Sequence, residues 1–558
     1  MAGAYHPGVC NIAAALPKMA LLQPETLAVV FPNGLDGNGN RAYSRLTYQQ
    51  LDEQSDVIAR GFRAAGLSRG MRTVLMVKPS LEFFSLTFAL FKAGIVPVMI
   101  DPGLGVKQLK TCLAEAAPEA FIGIPTAHAA RMLLGWGRHT IRHLITVGTR
   151  WCWGGTTLAK VAALGKGSSP FLEDTRAEET AAILFTSGST GTAKGVVYTH
   201  GNFVAQVELI RETYGIQPGE IDLPTFPLFA LFDPALGMTT IVPDMDFTRP
   251  AEVDPVKIKN AIDDWRVTNV FASPALLSTV GRHGVKHKLQ WPTVKRILSA
   301  GAPVPAATLE RMHQMLSPEA QIFTPYGATE VLPVSSISSR EVLSSTRELT
   351  DRGSGVCVGR VVVPNDVRII EIVDEALSDW SQVKEMPVGE IGEITVSGPT
   401  VTATYFGRPN ATELAKVDRD GTTVHRMGDV GYFDSLGRLW FCGRKSHRVV
   451  LADRTLFSAP VEEIFNTHPA VFRSALVSAV VGDARVPVLC IELDHEAHAE
   501  NKLTEQDLFE SLKAMGAKFA PTRGITHFLI HPGFPVDIRH NAKIGREKLA
   551  VWAQGEFP

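Results

Sequence analysis

The stretch ILFTSGSTGTAKGVVYTH, residues 183–200, places small and hydroxyl side chains and a single lysine between two apolar runs. Backbone N–H groups of a glycine-rich turn can surround phosphate oxygens, and a lysine adds a positive charge. The apolar flanks favour a strand–loop–strand element over a flexible surface linker. The stretch therefore predicts a phosphate-binding loop held between two strands.

This loop differs from the Walker A pattern GxxxxGK[ST] of P-loop NTPases. Counting from Gly188, Ala193 stands where the second glycine belongs. Lys194 is followed by Gly195 instead of the serine or threonine that binds Mg²⁺. A P-loop NTPase is therefore excluded, while binding of a phosphate group is still indicated.

The chain as a whole has the composition of a globular enzyme. Its 558 residues are too many for one compact core and predict two or more domains. A net charge of −2 gives no basic footprint for nucleic acid. The cysteines form no CxxC pair, and no apolar run suits a transmembrane helix or a signal peptide. We therefore expect a cytoplasmic protein without a disulfide framework or structural zinc.

Helical and strand-like patterns alternate along most of the chain. Residues 47–70 (TYQQLDEQSDVIARGFRAAGLSRG) predict an amphipathic helix ending at a glycine, and residues 72–78 predict a strand. Residues 80–100 (SLEFFSLTFALFKAGIVPVMI) predict a buried helix and then another strand. Such alternation is typical of parallel sheets covered by helices on both faces, so the predicted fold class is α/β.

The pattern changes after about residue 387. Residues 388–398 and 431–445 alternate apolar and polar side chains around turn pairs, which predicts antiparallel hairpins in a small β-barrel-like part. Beyond His447, helical and strand patterns predict a small α+β unit. The predicted division is a large N-terminal domain, residues 1–445, and a small C-terminal domain, residues 446–558.

Further motifs follow the loop in a fixed order. They are SAGAPV (299–304), YGATE (326–330), GEIGEITVSG with YFGRP, RMGDVGYFDSLGRLWFCGRK (426–445) and PVDIRHNAKIGREKL (535–549). Together with the loop they resemble the adenylate-forming superfamily of acyl-CoA synthetases, nonribosomal adenylation domains and luciferases. The resemblance spans nearly the whole chain. It implies attack of a carboxylate on the α-phosphate of ATP, giving an acyl-adenylate and diphosphate, and a C-terminal domain that is mobile about a hinge.

The resemblance also implies roles for individual residues. The β- and γ-phosphates of ATP would be held by Thr186, Ser187, Gly188, Ser189, Thr190, Gly191 and Lys194. The adenosine would lie against Gly301, Ala302, Pro303, Tyr326, Gly327, Ala328 and Thr329, with Asp429 at the ribose and Arg444 at the ribose or a phosphate. Mg²⁺ would be bound by Glu330 and Thr186. Lys543 would reach the carboxylate and the α-phosphate.

The sequence departs from the acyl-CoA synthetase pattern where thioester formation takes place. The hinge pattern GRxKDxI reads GRKSHRVV, with Ser446 and His447 at the lysine and aspartate positions. The following segment, LADRTLFSAPVEE, lacks the glycines that line a pantetheine tunnel. PLFH becomes PLFA at Ala230, and the C-terminal GK becomes AK at Ala542. These changes disfavour use of CoA.

Together the departures resemble the β-lactone synthetases of bacterial long-chain olefin biosynthesis. The resemblance implies adenylation of a 2-alkyl-3-hydroxy fatty acid with ATP and Mg²⁺, then attack by its own 3-hydroxyl to give a β-lactone and AMP. An internal nucleophile needs only a pocket that holds the chain folded. His200, Phe229, Ala230 and Phe232 are candidates to line it, although the apolar run 224–243 could equally be core. His447 is a candidate base for ring closure.

Other interpretations stay open. A long-chain fatty acid–CoA or –AMP ligase would use the same fold. A non-catalytic adenylate-binding protein is disfavoured because Lys194, Glu330, Asp429, Arg444 and Lys543 are all present. Other olefin-pathway enzymes are expected as partners for a lipid substrate. Residues 131–143 (RMLLGWGRHTIRH) mix basic and apolar side chains, which suits either a membrane interface or a plain surface helix.

Overall fold

The computed structural model of the chain describes residues 8–186, 193–494, 504–536 and 544–557. The first strands are β1 (Leu27–Leu35), β2 (Arg41–Thr47), β3 (Arg72–Met76), β4 (Val96–Ile100), β5 (Ala120–Gly123), β6 (His143–Thr146), β7 (Thr156–Thr157), β8 (Thr180–Thr186) and β9 (Lys194–Thr199). Next come β10 (Ile221–Pro224), β11 (Thr239–Ile241), β12 (Asn269–Ala272), β13 (Arg296–Ser299), β14 (Gln321–Ala328), β15 (Val331–Ser338), β16 (Val356–Val361), β17 (Asp366–Ile370), β18 (Gly392–Ser397), β19 (Lys416–Arg419), β20 (Thr422–Phe433) and β21 (Leu439–Arg444). The last are β22 (Val449–Val450), β23 (Thr455–Leu456), β24 (Val471–Val481), β25 (Ala484–Leu493) and β26 (His527–Ile530).

Helices separate most of these strands. In the first half they are α1 (Ala15–Leu22), α2 (Tyr48–Ala64), α3 (Leu81–Lys92), α4 (Gly105–Ala116), α5 (Pro125–Leu134), α6 (Leu158–Leu164), α7 (His200–Tyr214), α8 (Pro227–Ala230), α9 (Asp233–Leu236), α10 (Pro255–Trp265) and α11 (Pro274–Lys286). In the second half they are α12 (Ala306–His313), α13 (Ser339–Glu341), α14 (Arg347–Asp351), α15 (Pro409–Ala415), α16 (Ser458–Phe465), α17 (Glu505–Gly516) and α18 (Arg546–Gly555). None of them is long and apolar enough to cross a bilayer, within the ranges given above.

Two large sheets carry most of the chain. A seven-stranded sheet has the order β7-β6-β5-β3-β4-β8-β9 and is parallel except for the β8–β9 pair. A 14-stranded sheet runs β17-β18-β20-β21-β16-β15-β14-β13-β12-β10-β11-β1-β2, with β19 beside β20. The predicted α/β class is confirmed. The hairpins expected in a barrel-like part continue the larger sheet through the β15–β16 pairing.

The predicted helices of the first segment are confirmed, and local sequence explains their ends. Thr47 and the first turn of α2 form a capping box, and Gly66 beyond its end has φ +88°. α3 carries apolar side chains on most of its sides because it is buried, with Phe84 and Phe88 almost fully enclosed. Burying one such side chain contributes about 1.5–3 kcal/mol. Helices of this kind fill the space between the two sheets.

The C-terminal part is built on a sheet of its own. β24, β25 and β26 form a three-stranded sheet that packs with α16, α17 and α18. The chain enters this part from β21 through a short 3₁₀ turn, Lys445–His447. Gly443, just before the turn, has φ +122°, and a Cβ there would lie 2.2 Å from Ser458 Oγ. Only glycine therefore allows α16 to approach β21 this closely.

Candidate active site

The glycine-rich loop connects two paired strands. β8 and β9 run antiparallel with Thr186 opposite Lys194, which confirms the two strands predicted on either side of the loop. The predicted phosphate ligands Ser187, Gly188, Ser189, Thr190 and Gly191 lie outside the described residues. Lys194 is placed at the base of the loop, with Nζ 4.9 Å from the centre of the Tyr405 ring. A cation at this position, where the loop joins β9, suits binding of a polyphosphate.

Glu330, the predicted Mg²⁺ ligand, is held firmly. It follows β14 in a turn, and its carboxylate accepts a hydrogen bond from the Tyr405 hydroxyl. Thr402 donates to the Glu330 carbonyl from both its amide (2.9 Å) and its hydroxyl (3.1 Å). Burial by itself raises the pKa of Glu330, but the Tyr405 hydroxyl and the Lys416 ammonium outweigh it, so the pKa lies below its usual value. An ionised, oriented carboxylate is the hard oxygen donor that Mg²⁺ prefers.

Two further ionisable groups lie next to Glu330, and sequence analysis did not assign them. Lys416 Nζ donates to the Thr402 carbonyl, and burial lowers the pKa of Lys416 to about 7, although Glu330 opposes the shift. His425 is 2% exposed, and its Nδ1 lies 3.0 Å from the Ala415 carbonyl. Burial lowers the pKa of His425 to about 3, so the ring is neutral. The charge beside Glu330 is therefore set mainly by Lys416.

The predicted ribose ligands Asp429 and Arg444 face each other across one hairpin. The β20–β21 register pairs them directly, and Arg444 Nη1 lies 2.8 Å from Asp429 Oδ1. Tyr326 donates its hydroxyl to Asp429 Oδ2 at 2.7 Å. Burial raises the pKa of Asp429, while Arg444 opposes the shift. Each carboxylate oxygen has more than one lone pair, so Asp429 can still accept a hydroxyl from a ligand.

The other predicted adenosine residues lie at strand ends. Gly301, Ala302 and Pro303 follow β13, while Gly327, Ala328 and Thr329 end β14 or follow it. The Thr329 carbonyl accepts a hydrogen bond from the Tyr198 hydroxyl of β9, which ties this turn to the strand that begins at Lys194. Ligands of open α/β sheets bind beyond the carboxyl ends of the strands. The structure thus brings the carboxyl end of β14 close to Lys194 of β9, although these strands belong to different sheets.

His447 lies at the border between the large N-terminal part and the C-terminal part. Its side chain is 10% exposed, with Nε2 3.5 Å from Glu547 Oε1 of α18. Burial lowers the pKa of His447 to about 4, and Arg546 and Arg444 add to this effect. The imidazole is therefore neutral at pH 7 and can accept a proton. Lys543, the other predicted catalytic residue of this part, lies outside the described residues.

The residues expected to line the acyl pocket fall into two groups. Ala230 is 3% exposed and borders a narrow cavity with Phe83, Phe84 and Phe247, as well as Pro79, Pro224, Pro227 and Val242. Phe229 stacks on Phe271 with ring centres 4.0 Å apart, and Phe232 lies 6.1 Å from Phe229. The lining of the cavity is entirely apolar, but its volume of about 10 Å³ is too small to hold an alkyl chain as it stands.

His200 has a different environment from the one expected of a pocket residue. It is 1% exposed, and its Nδ1 accepts a hydrogen bond from the Ile12 amide at 3.2 Å. Burial lowers the pKa of His200 to about 4, which leaves the ring neutral and able to accept this bond. These contacts fasten the N-terminal segment to α7 and support a structural role for His200.

The sequence matches the family described as AMP-binding enzyme over residues 17–406, which is more than half of the chain. The chain belongs to the AMP-binding enzyme family. It is an adenylate-forming ligase, as its motifs predict, and ATP is the co-substrate that this family membership implies. An olefin beta-lactone synthetase of Stenotrophomonas maltophilia is 54% identical over 555 residues, covering 98% of this chain and 99% of the relative. A second protein of that name, from Xanthomonas campestris pv. campestris, is 53% identical over 551 residues and covers 98% of each chain.

Solved structures agree with the fold of this adenylate-forming ligase. The amide bond synthetase McbA of Marinactinospora thermotolerans matches with a TM-score of 0.78, at 20% identity over 97% of this chain and 99% of that one. ATP-bound MatB from Rhodopseudomonas palustris matches with a TM-score of 0.78, at 20% identity over 99% of this chain and 100% of that one. At this identity the likeness concerns the architecture alone, a large sheet-containing part followed by a smaller C-terminal part.

Proposed function

We propose that the protein adenylates a 2-alkyl-3-hydroxy long-chain fatty acid and closes it to a β-lactone, releasing AMP and diphosphate. The observation that carries this proposal is the pair of olefin beta-lactone synthetases, 54% and 53% identical over 98% of the chain. The altered hinge at Ser446 and His447 agrees with it, because an intramolecular nucleophile makes a CoA tunnel unnecessary.

For the first half-reaction we propose a separate role for each group of active-site residues. Lys194, Thr186 and residues 187–191 hold the triphosphate, and Asp429 with Arg444 holds the ribose. Glu330 and Thr186 bind Mg²⁺, which would neutralise phosphate charge. The substrate carboxylate attacks the α-phosphorus, the bond to the bridging oxygen breaks, and diphosphate leaves. Lys543 steadies the negative charge that moves between the carboxylate and α-phosphate oxygens.

The acyl chain is proposed to lie along the apolar wall beside Ala230, whose side chains would have to move apart because the cavity there has a volume of only about 10 Å³. A histidine at this position would place a polar ring against Phe83 and Phe84, whereas alanine leaves the wall apolar. The neighbouring Phe229–Phe271 stack supplies a second apolar surface, which could hold the α-alkyl branch. Holding both arms would fold the 3-hydroxyl back towards the activated carbonyl carbon.

For the second half-reaction we propose His447 as the base. The 3-hydroxyl oxygen forms a bond to the carbonyl carbon, the bond from that carbon to the AMP oxygen breaks, and the hydroxyl proton passes to the imidazole. The ring is neutral at pH 7, so one of its nitrogens can accept the proton, although a pKa of about 4 makes it a weaker base than an exposed imidazole. Its position next to Arg444 places it close to the adenylate-binding edge.

The overall proposal is tested by incubating the enzyme with ATP, Mg²⁺ and a 2-alkyl-3-hydroxy acid, with and without CoA. We expect a four-membered lactone and AMP in equal amounts without CoA, identified by mass spectrometry and NMR. A thioester that forms only with CoA would instead identify a long-chain acyl-CoA ligase. Acyl-adenylate that accumulates in both mixtures would identify an acyl-AMP ligase.

The role of His447 is tested separately with His447→Ala. A general base contributes about 10²- to 10⁴-fold, so lactone formation should fall by at least 10² while diphosphate release in the first turnover is retained. His313→Ala, which removes a half-buried histidine of α12 bonded to Ser339, serves as the control and should leave both steps unchanged. Undiminished lactone formation in His447→Ala would show that another group takes the proton.

A further inference from the structure

One long segment of the chain has basic residues but no acidic ones. Between Glu119 and Glu173 the sequence contains no aspartate or glutamate, although the chain as a whole has 57 acidic residues and a net charge of −2. The basic residues of this segment are Arg131, Arg138, Arg142, Arg150, Lys160 and Lys166. The segment is therefore a local concentration of positive charge in a nearly neutral protein.

The fold places this segment at one edge of the seven-stranded sheet, with α5 and α6 on opposite faces of that edge. Residues 120–172 contain β5, β6 and β7, which are the last three strands at one side of the seven-stranded sheet, together with α5 and α6. Arg138, Arg142, Lys160 and Lys166 are exposed, and in the described part of the chain no carboxylate lies within ion-pair distance of them. Their charge is thus free to act on an external partner.

The same edge exposes large apolar side chains. Leu133 in the last turn of α5 is 84% exposed and its neighbour Met132 is 49% exposed. Trp151, on the loop between β6 and β7, is 58% exposed. Trp151 packs on Trp153 at 5.3 Å, and Trp153 stacks on His128 of α5 at 5.2 Å, so this loop and α5 are neighbours.

We propose that this edge, residues 120–172, docks on the surface of an anionic bilayer. Exposed leucine and methionine can enter the headgroup region, and tryptophan favours the boundary between headgroups and acyl chains. Each arginine or lysine near an anionic surface strengthens binding about five-fold. An acidic protein surface would pair with the cations but would leave Leu133 and Trp151 without an apolar phase, so the combination favours a lipid surface.

Docking here is distinct from the catalytic chemistry. The edge strand β7 is at the opposite end of the sheet from β8 and β9, which carry the glycine-rich loop. The active-site edge can therefore stay free while β5–β7 contact lipid. A peripheral enzyme of this kind could take an apolar substrate from the bilayer without a membrane-spanning helix. The docking itself does not depend on which acid is adenylated.

Sedimentation of the full-length protein with lipid vesicles tests the proposal. We expect binding to vesicles of phosphatidylcholine with phosphatidylglycerol, little binding to phosphatidylcholine alone, and weaker binding as salt is raised. The double variant R138E/R142E should lower the partition coefficient at least 25-fold, and L133S/W151S should lower it about ten-fold. ATP–diphosphate exchange in all variants should match the wild type, which shows that they fold.

Leu21→Ser is the matched control. Leu21 is also the second-last residue of a helix, α1, and is 81% exposed, but it lies outside the acid-free segment. This variant should bind vesicles like the wild type. The proposal would be overturned if the wild-type protein did not bind anionic vesicles. Binding of an acidic polypeptide without binding of vesicles would count as the same result. Equal binding by R138E/R142E and the wild type would do the same.

Discussion

Strand β20 contributes to two ionic clusters that contain similar residues but differ in their exposure to a ligand. Arg426 pairs with Glu393 at 2.6 Å, and both side chains are 1% exposed. The same guanidinium donates to the carbonyls of Val373 and Glu375, and Lys445 completes the cluster at 3.1 Å from Glu393. Three residues along the strand, Asp429 pairs with Arg444, whose side chain is 31% exposed and faces the proposed ribose site. One cluster is closed, and the other is open to a ligand.

The difference lies in how fully each charge is satisfied. A closed cluster has its hydrogen bonds occupied by the protein, so removing one member leaves other charges buried without partners. An open cluster retains capacity for a ligand, and its loss is felt when the ligand binds. Stability and substrate binding should therefore separate cleanly between Glu393 and Asp429.

The largest expected effect comes from Glu393→Ala. It leaves Arg426 and Lys445 buried without their carboxylate, which should lower the free energy of unfolding by about 3–5 kcal/mol. Urea unfolding followed by circular dichroism measures the change. Lys445→Met, which leaves the Arg426–Glu393 pair intact, should cost only about 1 kcal/mol. If Glu393→Ala costs no more than Lys445→Met, the cluster is not the closed unit described above.

Asp429→Asn should weaken ATP binding and leave the free energy of unfolding nearly unchanged. Losing a charged acceptor for the ribose costs about 1.5–3 kcal/mol, which raises the KM for ATP about 10- to 100-fold. Burial raises the pKa of Asp429, which means that the folded state disfavours its negative charge. Removing this charge should therefore change the free energy of unfolding by less than about 1 kcal/mol. Steady-state kinetics and urea unfolding of the same preparation give both values. A large loss of stability with an unchanged KM for ATP would show that Asp429 stabilises the fold and does not bind the ribose.

The smallest effect is expected at Lys416, a partly buried lysine that belongs to neither of the two clusters. Burial lowers its pKa to about 7, so the side chain is a cation beside Glu330 below this pH and neutral above it. A cation there weakens the attraction of Glu330 for Mg²⁺. The Mg²⁺ concentration for half-maximal adenylation should therefore fall several-fold between pH 6 and pH 8.5.

Lys416→Met separates this effect from the titration of ATP itself. The variant should lose the part of the pH dependence that Lys416 causes, while the part due to ATP is common to both proteins. Lys416 also affects stability: the folded state disfavours its charge, so stability should rise with pH between about 7 and the ordinary lysine pKa near 10.4. Identical Mg²⁺ profiles for the two proteins would show that Lys416 does not influence the metal.

The parts predicted from sequence are those that local patterns encode. Strands β8 and β9 follow from apolar runs around a glycine-rich loop, and α2 follows from its helical periodicity and cap. The Asp429–Arg444 pair belongs to one hairpin, so the strand pattern and turn bring its ends together without knowledge of the rest of the fold. The α/β class follows from the repeated alternation of helix and strand.

The parts that sequence did not reveal depend on distant contacts. Tyr405 reaches Glu330 across 75 residues, and His200 bonds to Ile12 across 188 residues. No spacing rule relates such positions, so neither the surroundings of Glu330 nor the structural place of His200 could be predicted. The closed cluster was also missed, because Arg426 and Lys445 lie within a motif in which Asp429 and Arg444 are the predicted ribose ligands.

The bonds of Lys445 also fix where the backbone can turn. Its ammonium is held by the Val373 carbonyl and by Glu393, so a rotation of the C-terminal part that keeps these bonds starts no earlier than Ser446. We therefore propose residue 445 as the last of the large domain. Arg444 would then remain with the ribose while His447 travels with the rotating part. A rotation about this point would therefore change the distance between His447, the proposed base, and the ribose held at Arg444.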